Sequence, residues 1–471
     1  MVVGEFTQET NLVVIGGGPG GYTAAFRAAE LGIETLIVDT RETLGGAYLH
    51  QGGVASKALL HLVETIGLAE RAGDFGLRFA EPDIDLEQVR RRRRETIDGL
   101  AGGLDELCRT HGIERVQGEA RFEDSRRIVV RSGPNRRLRF RRAVIATGSQ
   151  PLEPGDWMID SPRVLDAAEA LRLEDVPATL LVLGSGAMAV ELASIYAALG
   201  SKVTLADRSE RLLPNADADL VGPLAERLTA TLAGIRLGAE VRQMREAGDG
   251  VEVDLTDDGA RQSFERVVVA VQRRPRTSDL GLETTRVELD EAGFVKVDER
   301  LGSTDPRIFA VGDVTGEPML AHKAMRQGRV CAEVIAGWGS VFDPRAVPIV
   351  IFTDPQIAWC GLTETQAEAR GIQCRVNTTG WSGDVPIGAP PGPGRREGIT
   401  KVIYDPDTQL ILGVGVTGPH AGELIAEGAL ALEMGAVVTD LASTIHPHST
   451  LSELIGKAAG QAEETASPAQ G

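Results

Sequence analysis

The sequence predicts an α/β protein built on parallel sheets, and three observations lead there. Short β-branched runs alternate with Ala-rich stretches of helical period along most of the 471 residues, the pattern of βαβ units. The run "NLVVIGGGPGGYTAAFRAAELGIETLIVDT" reads as strand, glycine turn, amphipathic helix, strand. The same order returns in "ATLLVLGSGAMAVELASIYAALGSKVTLADRSERLLP". At roughly 150 residues per domain the length suits about three domains, each large enough for its own core.

In the first of these runs Gly16, Gly18 and Gly21 make a GxGxxG spacing. The first glycine permits a tight turn, the second lets backbone N–H groups meet a pyrophosphate, and the third lets helix and strand pack closely. Asp39 follows about 20 residues on and closes the second strand, where a carboxylate accepts both hydroxyls of a ribose. In the second run Gly184, Gly186 and Ala189 give GxGxxA, with Asp207 closing its second strand. Two such sites in one chain point to two nucleotides exchanging hydride. An acid at Asp207 favours a free 2′-hydroxyl and so NAD(H), because a carboxylate repels a 2′-phosphate. Arg208 and Arg211 beside it keep NADP(H) open. Two further strands are expected, one in "RAVIATGSQP" ending at Thr147 and Gly148, the other ending at Gly312 and Asp313 before a helix.

Composition removes several classes of partner. With 49 basic against 68 acidic residues the net charge is −19, which disfavours nucleic acid and anionic membranes. The opening "MVVGEFTQET" has neither the basic flank nor the apolar segment of a signal, and no later run approaches the roughly 20 apolar residues of a membrane span. A cytoplasmic protein is expected. Cys108, Cys331, Cys360 and Cys374 are widely spaced without a CxxC, so neither a zinc knuckle nor a disulfide framework is suggested. The five arginines at 90–94 fall in a helical pattern and wrap all of its sides, so some must face neighbouring acids or solvent.

The pieces "GGGPGG", "ATGS", "GSGAMAVE", "VGDV" with "MLAHKA", "FTDPQIAWCGLTETQA", "GPHAGELIAEGALALE" and "HPHSTLSE" carry a resemblance. In them, and in their order, the chain resembles the flavoprotein disulfide reductases over almost its whole length, the lipoamide dehydrogenases most of all. The resemblance implies two Rossmann-like dinucleotide-binding domains and a C-terminal α+β dimerisation domain. These would be a FAD domain over 1–152, an NAD domain over 153–277, a central segment over 278–345 that returns to FAD, and an interface domain over 346–458 forming a homodimer. Residues 459–471 are left as a disordered tail, on composition.

The same resemblance assigns site residues. Gly16, Gly18, Gly21 and Asp39 would hold the ADP half of FAD, Gly46, Thr147 and Gly148 would line its path, and Asp313 would bind the ribitol. The helix beginning near Met319, with Leu320 and Ala321, would aim its N-terminus at the pyrimidine side of the flavin, where a helix N-terminus stabilises negative charge. Lys57 and Glu191 match an ion pair beside the flavin's reactive nitrogen, and His448 and Glu453 match a dyad supplied across the dimer. A carboxylate on one imidazole nitrogen fixes the tautomer and raises the basicity of the other.

Departures from the family pattern are as telling. Relatives read close to GGTCLNxGCxPSK where this chain has "GGAYLHQGGVASK", so Tyr48 and Gly53 stand at the two cysteine positions and Ala55 at the proline. The frame residues Gly45, Gly46, Gly52, Ser56 and Lys57 persist. Dithiol exchange needs one thiolate to attack sulfur and a second to resolve the mixed disulfide, so lipoamide dehydrogenase activity by the family's mechanism is not expected. Gln272 replaces a glycine that lies close to the nicotinamide nucleotide in relatives, so NAD binding follows less directly than FAD binding. The Pro- and Gly-rich "GWSGDVPIGAPPGPGRREG" reads as a remodelled loop.

The leading expectation is an enzyme that moves hydride from NAD(P)H to FAD and electrons onward to a non-disulfide small molecule such as a quinone. His448 would exchange a proton with that acceptor, and Tyr48 would either stack on it or fill the site. Two alternatives stay open: a transhydrogenase between nicotinamide nucleotides, and a catalytically silent FAD-binding dimer that docks on a lipoyl-linked 2-oxoacid dehydrogenase complex.

Overall fold

The computed structural model describes residues 7–80, 82–132, 135–152, 155–256, 261–381 and 398–466. The chain divides into two compact units, the first from residues 1–58, 86–154 and 271–343, the second from 59–85, 155–270 and 344–471.

In the first unit the strands β1 (Thr7–Ile15), β2 (Thr35–Asp39), β3 (Glu114–Gln117), β4 (Glu119–Asp124), β5 (Arg127–Arg131) and β6 (Arg136–Ile145) form a sheet in the order β3-β2-β1-β6-β5-β4. The half made by β3, β2, β1 and β6 is parallel. Leu12, Val13, Val14 and Ile145 there are fully buried, as expected of strands covered on both faces. The early part of β6 pairs antiparallel with β5, and there Leu138 and Phe140 point inward while Arg139 and Arg141 are exposed. Helix α1 (Pro19–Glu30) follows β1; α2 (Gly46–His50) and α3 (Gly53–Arg71) carry the frame residues; α4 (Leu86–Thr110) precedes β3. On α4 Arg90 and Arg94 meet Glu87 while Arg91 and Arg92 meet Glu95, neighbouring acids as the sequence predicted. A short β7 (Ser149–Pro151) ends this stretch.

The second unit repeats the plan. Its strands are β8 (Val164–Asp166), β9 (Thr179–Leu183), β10 (Lys202–Asp207), β11 (Gly234–Leu237), the antiparallel set β12 (Val241–Ala247), β13 (Gly250–Leu255) and β14 (Arg261–Phe264), and β15 (Arg266–Val269). A parallel sheet runs β11-β10-β9-β15-β8. The helices are α5 (Ala167–Ala170), α6 (Ala187–Ala198) and α7 (Ala218–Thr231). Ala189, Val190, Leu192, Ala193, Ile195 and Tyr196 of α6 are all buried, so this helix is apolar nearly all round.

The chain then returns to the first unit. β16 (Arg273–Pro275) pairs with β7, β17 (Ile308–Ala310) joins β6, and α8 (Ala321–Ile335) lies against α1. β17 stops at Ala310, so Gly312 and Asp313, expected at a strand end, form a short turn instead. Likewise β6 ends at Ile145, two residues before Thr147. Helices α1 and α8 meet backbone to backbone: a Cβ on Gly328 would lie 2.3 Å from the Gly20 carbonyl oxygen. Arg27 of α1 holds Glu333 of α8 at 3.1 Å.

The C-terminal part of the second unit is an antiparallel sheet of β18 (Ile349–Ile351), β19 (Gln356–Gly361), β20 (Arg375–Gly380), β21 (Ile399–Tyr404) and β22 (Ile411–Gly418), in the order β18-β19-β22-β21-β20. Helices α9 (Glu364–Ala369), α10 (Ala421–Met434), α11 (Val438–Ser443) and α12 (Glu453–Ala466) surround it. Lys401 of β21 is almost wholly buried, and its Nζ contacts Asp219 at 2.6 Å, Asp217 at 3.3 Å and the Glu364 carboxylate. That ammonium ties α7 to the C-terminal sheet. The tail expected from residue 459 needs correction: α12 runs on to Ala466, and Ala458 and Ala459 are fully buried because they pack against the sheet. Of the remodelled loop expected over 380–398, Gly380 ends β20 and Trp381 is buried, while 382–397 lie outside the described residues. Among the described residues no helix is long and apolar enough to cross a membrane.

Candidate functional site

The first glycine turn has the geometry of a dinucleotide cradle. Gly16 has φ +107°, which disfavours any side chain, and a Cβ there would lie 2.3 Å from the Ala146 carbonyl oxygen. A Cβ on Gly21 would come within 1.9 Å of the Gly16 oxygen, so the turn closes only without one. Gly18 is the N-cap of α1 and its Cβ direction is open, the nearest atom being the Gly46 Cα at 3.8 Å. Asp39 at the end of β2 accepts from Gly17 N at 2.5 Å and Arg41 N at 2.7 Å, which fixes its carboxylate beside the turn. A cavity of about 360 Å³ opens here, lined among others by Asp39, Arg41, Leu44, Asp105, Arg115 and Gln117. It lies outside the carboxyl ends of parallel strands, where open α/β sheets bind ligands. Glycine cradle, acid and cavity together suit the ADP half of FAD. Sequence reasoning found the glycines and the acid; Arg41, Arg115 and Gln117 carry no spacing signal and were missed.

A second polar cluster of the same unit gathers around Asp313. The Ser149 hydroxyl donates to Asp313 Oδ2 at 2.6 Å, and Arg273 donates from Nε to that hydroxyl and from Nη2 to the Ser149 carbonyl, both at 2.8 Å. Gly312 N donates to Gln327 Oε1 at 2.7 Å. The Thr147 hydroxyl donates to the Arg276 carbonyl at 2.7 Å, and Gly148 accepts from Arg276 N at 2.9 Å. Leu320 is the N-cap of α8 and Ala321 its first residue, with Met319 just before. Ser149, Arg273 and Gln327 are the supports that the sequence did not reveal. They meet only because β7, β16 and α8 converge.

The frame residues shape the turn into α2 and the start of α3. Gly45 caps α2, Ser56 N donates to the Gly52 carbonyl at 2.8 Å, and Lys57 Nζ lies 3.2 Å from the Ser56 hydroxyl in α3. Tyr48, at the first cysteine position, is 39 % exposed. Its ring leans on Gly53, the second position: a Cβ on Gly53 would lie 2.3 Å from Tyr48 Cδ2 and 2.7 Å from Cε2. The two replacements are therefore one packing unit. The four free cysteines lie elsewhere, and Cys108, Cys331 and Cys360 are buried.

In the second unit Gly184 has φ +133° and Gly186 caps α6 with open space where a Cβ would point. Ala189 is fully buried against Gly184. Asp207 Oδ1 accepts from Ser209 N at 2.6 Å, as Asp39 does from its own turn. The Arg211 guanidinium is turned back onto the Pro214 carbonyl, and Arg208 is exposed. Glu191 on α6 is buried and accepts from Phe352 N at 3.2 Å. Gln272 belongs to the first unit; its carbonyl accepts from Leu152 N at 2.8 Å and its side chain is exposed.

Two His/Glu pairs stand near the chain's end. His448 Nδ1 lies 3.2 Å from Glu453 Oε2, with the imidazole 85 % exposed and the carboxylate well covered. The Thr450 amide, and then His448, hold the Glu453 carboxyl below the usual carboxylate range, so it stays ionised beside the ring. The second pair, His446 Nε2 to Glu427 Oε1 at 2.7 Å, is largely buried and carries no sequence signal, because nothing local links a residue of α10 to one 19 positions on in the segment between α11 and α12.

Residues 10–328 match the family model of the pyridine nucleotide-disulphide oxidoreductases, and residues 347–459 match that family's dimerisation domain. The chain belongs to this family of FAD-dependent flavoprotein oxidoreductases, and its dimerisation domain fits a homodimer. Among curated relatives, the dihydrolipoyl dehydrogenase of Haemophilus influenzae is 38 % identical, the match covering 96 % of this chain and 94 % of that one. The dihydrolipoyl dehydrogenase of Thermus scotoductus is 41 % identical over 95 % and 96 %. Of solved structures, LpdA of Mycobacterium tuberculosis superposes with a TM-score of 0.86 at 27 % identity, covering 96 % of this chain and 99 % of that one. The HOCl-induced flavoprotein disulfide reductase RclA of Escherichia coli, in its Cu(II) complex, gives 0.84 at 26 %, covering 97 % and 100 %. The chain is thus close to the dihydrolipoyl dehydrogenases, with Tyr48 and Gly53 where the resemblance places their redox-active cysteines.

Proposed function

We propose that the protein is a homodimeric FAD oxidoreductase that takes hydride from NADH and delivers electrons to an acceptor other than a disulfide, a quinone being the foremost class. The contact between the Tyr48 ring and Gly53 supports this reading, for these are the two positions where the resemblance puts the cysteines that dithiol exchange requires.

When bound, FAD would supply the two-electron relay between nucleotide and acceptor. The chain's own residues divide the work of holding it. Gly18 would present its backbone N–H to the pyrophosphate, Gly16 and Gly21 close the turn that places it, Asp39 would take the ribose hydroxyls, and Gly46 lies across from Gly18. Asp313, braced by Ser149 and Arg273, receives the ribitol, with Thr147 and Gly148 alongside. The N-terminus of α8 at Met319, Leu320 and Ala321 stabilises negative charge on the flavin's pyrimidine side. Lys57 would place its positive charge near the reactive nitrogen, the role the resemblance gives it together with Glu191. Gly184, Gly186 and Ala189 hold the nicotinamide nucleotide's pyrophosphate, and Asp207 selects NADH over NADPH, a choice Arg211 does not oppose while it is bound to Pro214. Gln272 bounds the nucleotide's position. His448, oriented by an ionised Glu453, gives the acceptor oxygen its proton across the homodimer.

Anaerobic titration of the FAD-loaded protein with NADH and with NADPH, following the flavin spectrum, tests this reading. Bleaching by about one equivalent of NADH, without a long-wavelength thiolate-to-flavin band, is the expected result. If neither nucleotide bleaches the flavin while dithionite does, the oxidoreductase reading fails and the docking dimer takes its place.

A further inference from the structure

We infer that Tyr48 is the residue that selects the electron acceptor, its ring held over Gly53 as an aromatic wall on which a planar oxidant of the quinone class lies. The inference rests on the proposed oxidoreductase function. Three features point to it. Of the chain's four tyrosines, Tyr196 and Tyr404 are buried and Tyr22 is partly buried; Tyr48 alone is exposed. An exposed ring normally has rotamer freedom, yet this one is laid against a backbone with no Cβ, a position that any side chain at 53 would deny it. The ring is thus fixed by one edge while much of its surface stays open to an approaching molecule.

The surroundings suit the same class of ligand. Tyr22 of α1 is close enough to Tyr48 for the two phenols to interact, and Tyr22 is pushed up to about 12 by burial first and by Tyr48 second, so its hydroxyl remains a neutral donor. Phe26 continues the aromatic group at 5.8 Å from Tyr22. Tyr22 and Phe26 themselves pack against the core, so the ring surface offered to a ligand at this frame is that of Tyr48. A disulfide has no π-face to stack on it and finds no thiolate at positions 48 and 53 to react with.

The test is equilibrium binding of a redox-inert naphthol to the oxidised, FAD-loaded protein, read from the perturbed flavin absorption band. The expected result is saturable binding that Tyr48→Phe keeps within about three-fold and Tyr48→Leu weakens by about ten-fold or more, as loss of a stacked ring predicts. Gly53→Ala should weaken binding comparably by displacing the ring, and it serves as the measurement if Tyr48→Leu fails to hold FAD. Absence of binding to the wild type, or binding by Tyr48→Leu and Gly53→Ala as tight as the wild type's, overturns the inference. Bleaching by NADH in the same wild-type preparation separates that outcome from failure of the oxidoreductase reading.

Discussion

Restoring the distal thiol alone, by Gly53→Cys, measures how firmly the two replaced positions are coupled. Ordinary van der Waals contact begins near 3.4 Å, and a Cβ on residue 53 would stand 2.3 Å from Tyr48 Cδ2, an overlap of 1.1 Å before any sulfur is added. The Tyr48 carbonyl oxygen at 2.9 Å blocks relief by a small backbone shift, so the ring has to leave. Overpacking of this kind costs about 1–3 kcal/mol, and a ring already 39 % exposed places the cost toward the lower end. Urea unfolding of wild type, Gly53→Cys, Tyr48→Ala and the double variant forms a cycle in which Tyr48→Ala should return about 1 kcal/mol or more of the loss. The further variant with Tyr48→Cys and Gly53→Cys should form a disulfide on oxidation, since Gly45, Gly46 and Gly52 keep the loop. Unchanged stability of Gly53→Cys with Tyr48 in place would refute the packing account.

Other consequences are equally direct. Lys401→Met leaves Asp217 buried without its cation while Asp219 and Glu364 regain water, so a loss of about 3 kcal/mol is expected in the same unfolding assay; a neutral result would show the cluster to be dispensable. Burial pushes the Cys108 thiol up to about 11 and Cys360 up to about 12, and raises Cys331 as well. At pH 8 these three stay protonated and unreactive, so a thiol reagent should count at most Cys374 in the native protein and all four cysteines after unfolding. Two fast thiols in the native state would point to a dithiol hidden elsewhere. For Glu333, burial acts upward, but the Ser340 hydroxyl and Arg27 together outweigh it and hold the carboxyl below its usual value. A depressed carboxyl adds stability that is present above the unfolded pKa and is lost as pH falls through the folded one. Glu333→Gln should therefore flatten the stability profile below about pH 4.5, and an unchanged profile would exclude this contribution.

How much could be read in advance follows from what kind of signal each feature leaves. Both glycine turns, with Asp39 and Asp207, were legible because a strand, a tight turn and a helix N-terminus impose spacing on consecutive residues. The paired acids around the arginines at 90–94 were legible for the same reason, through helical neighbours three and four apart. The helical reach of residues 459–466 was not, because a polar composition says nothing of one buried face, and Ala458 and Ala459 supply that face.

The α/β class, the two glycine turns, the family resemblance and the tyrosine and glycine at 48 and 53 are all written in local order along the chain. Only the tertiary structure decided that the Tyr48 ring rests on Gly53, that Ser149 and Arg273 brace Asp313, and that Gly20 and Gly328 let α1 and α8 touch. Such contacts join residues through packing rather than spacing. A close approach of two backbones, or of a ring and a missing Cβ, is set by how whole elements stack, and no periodicity along the chain encodes it.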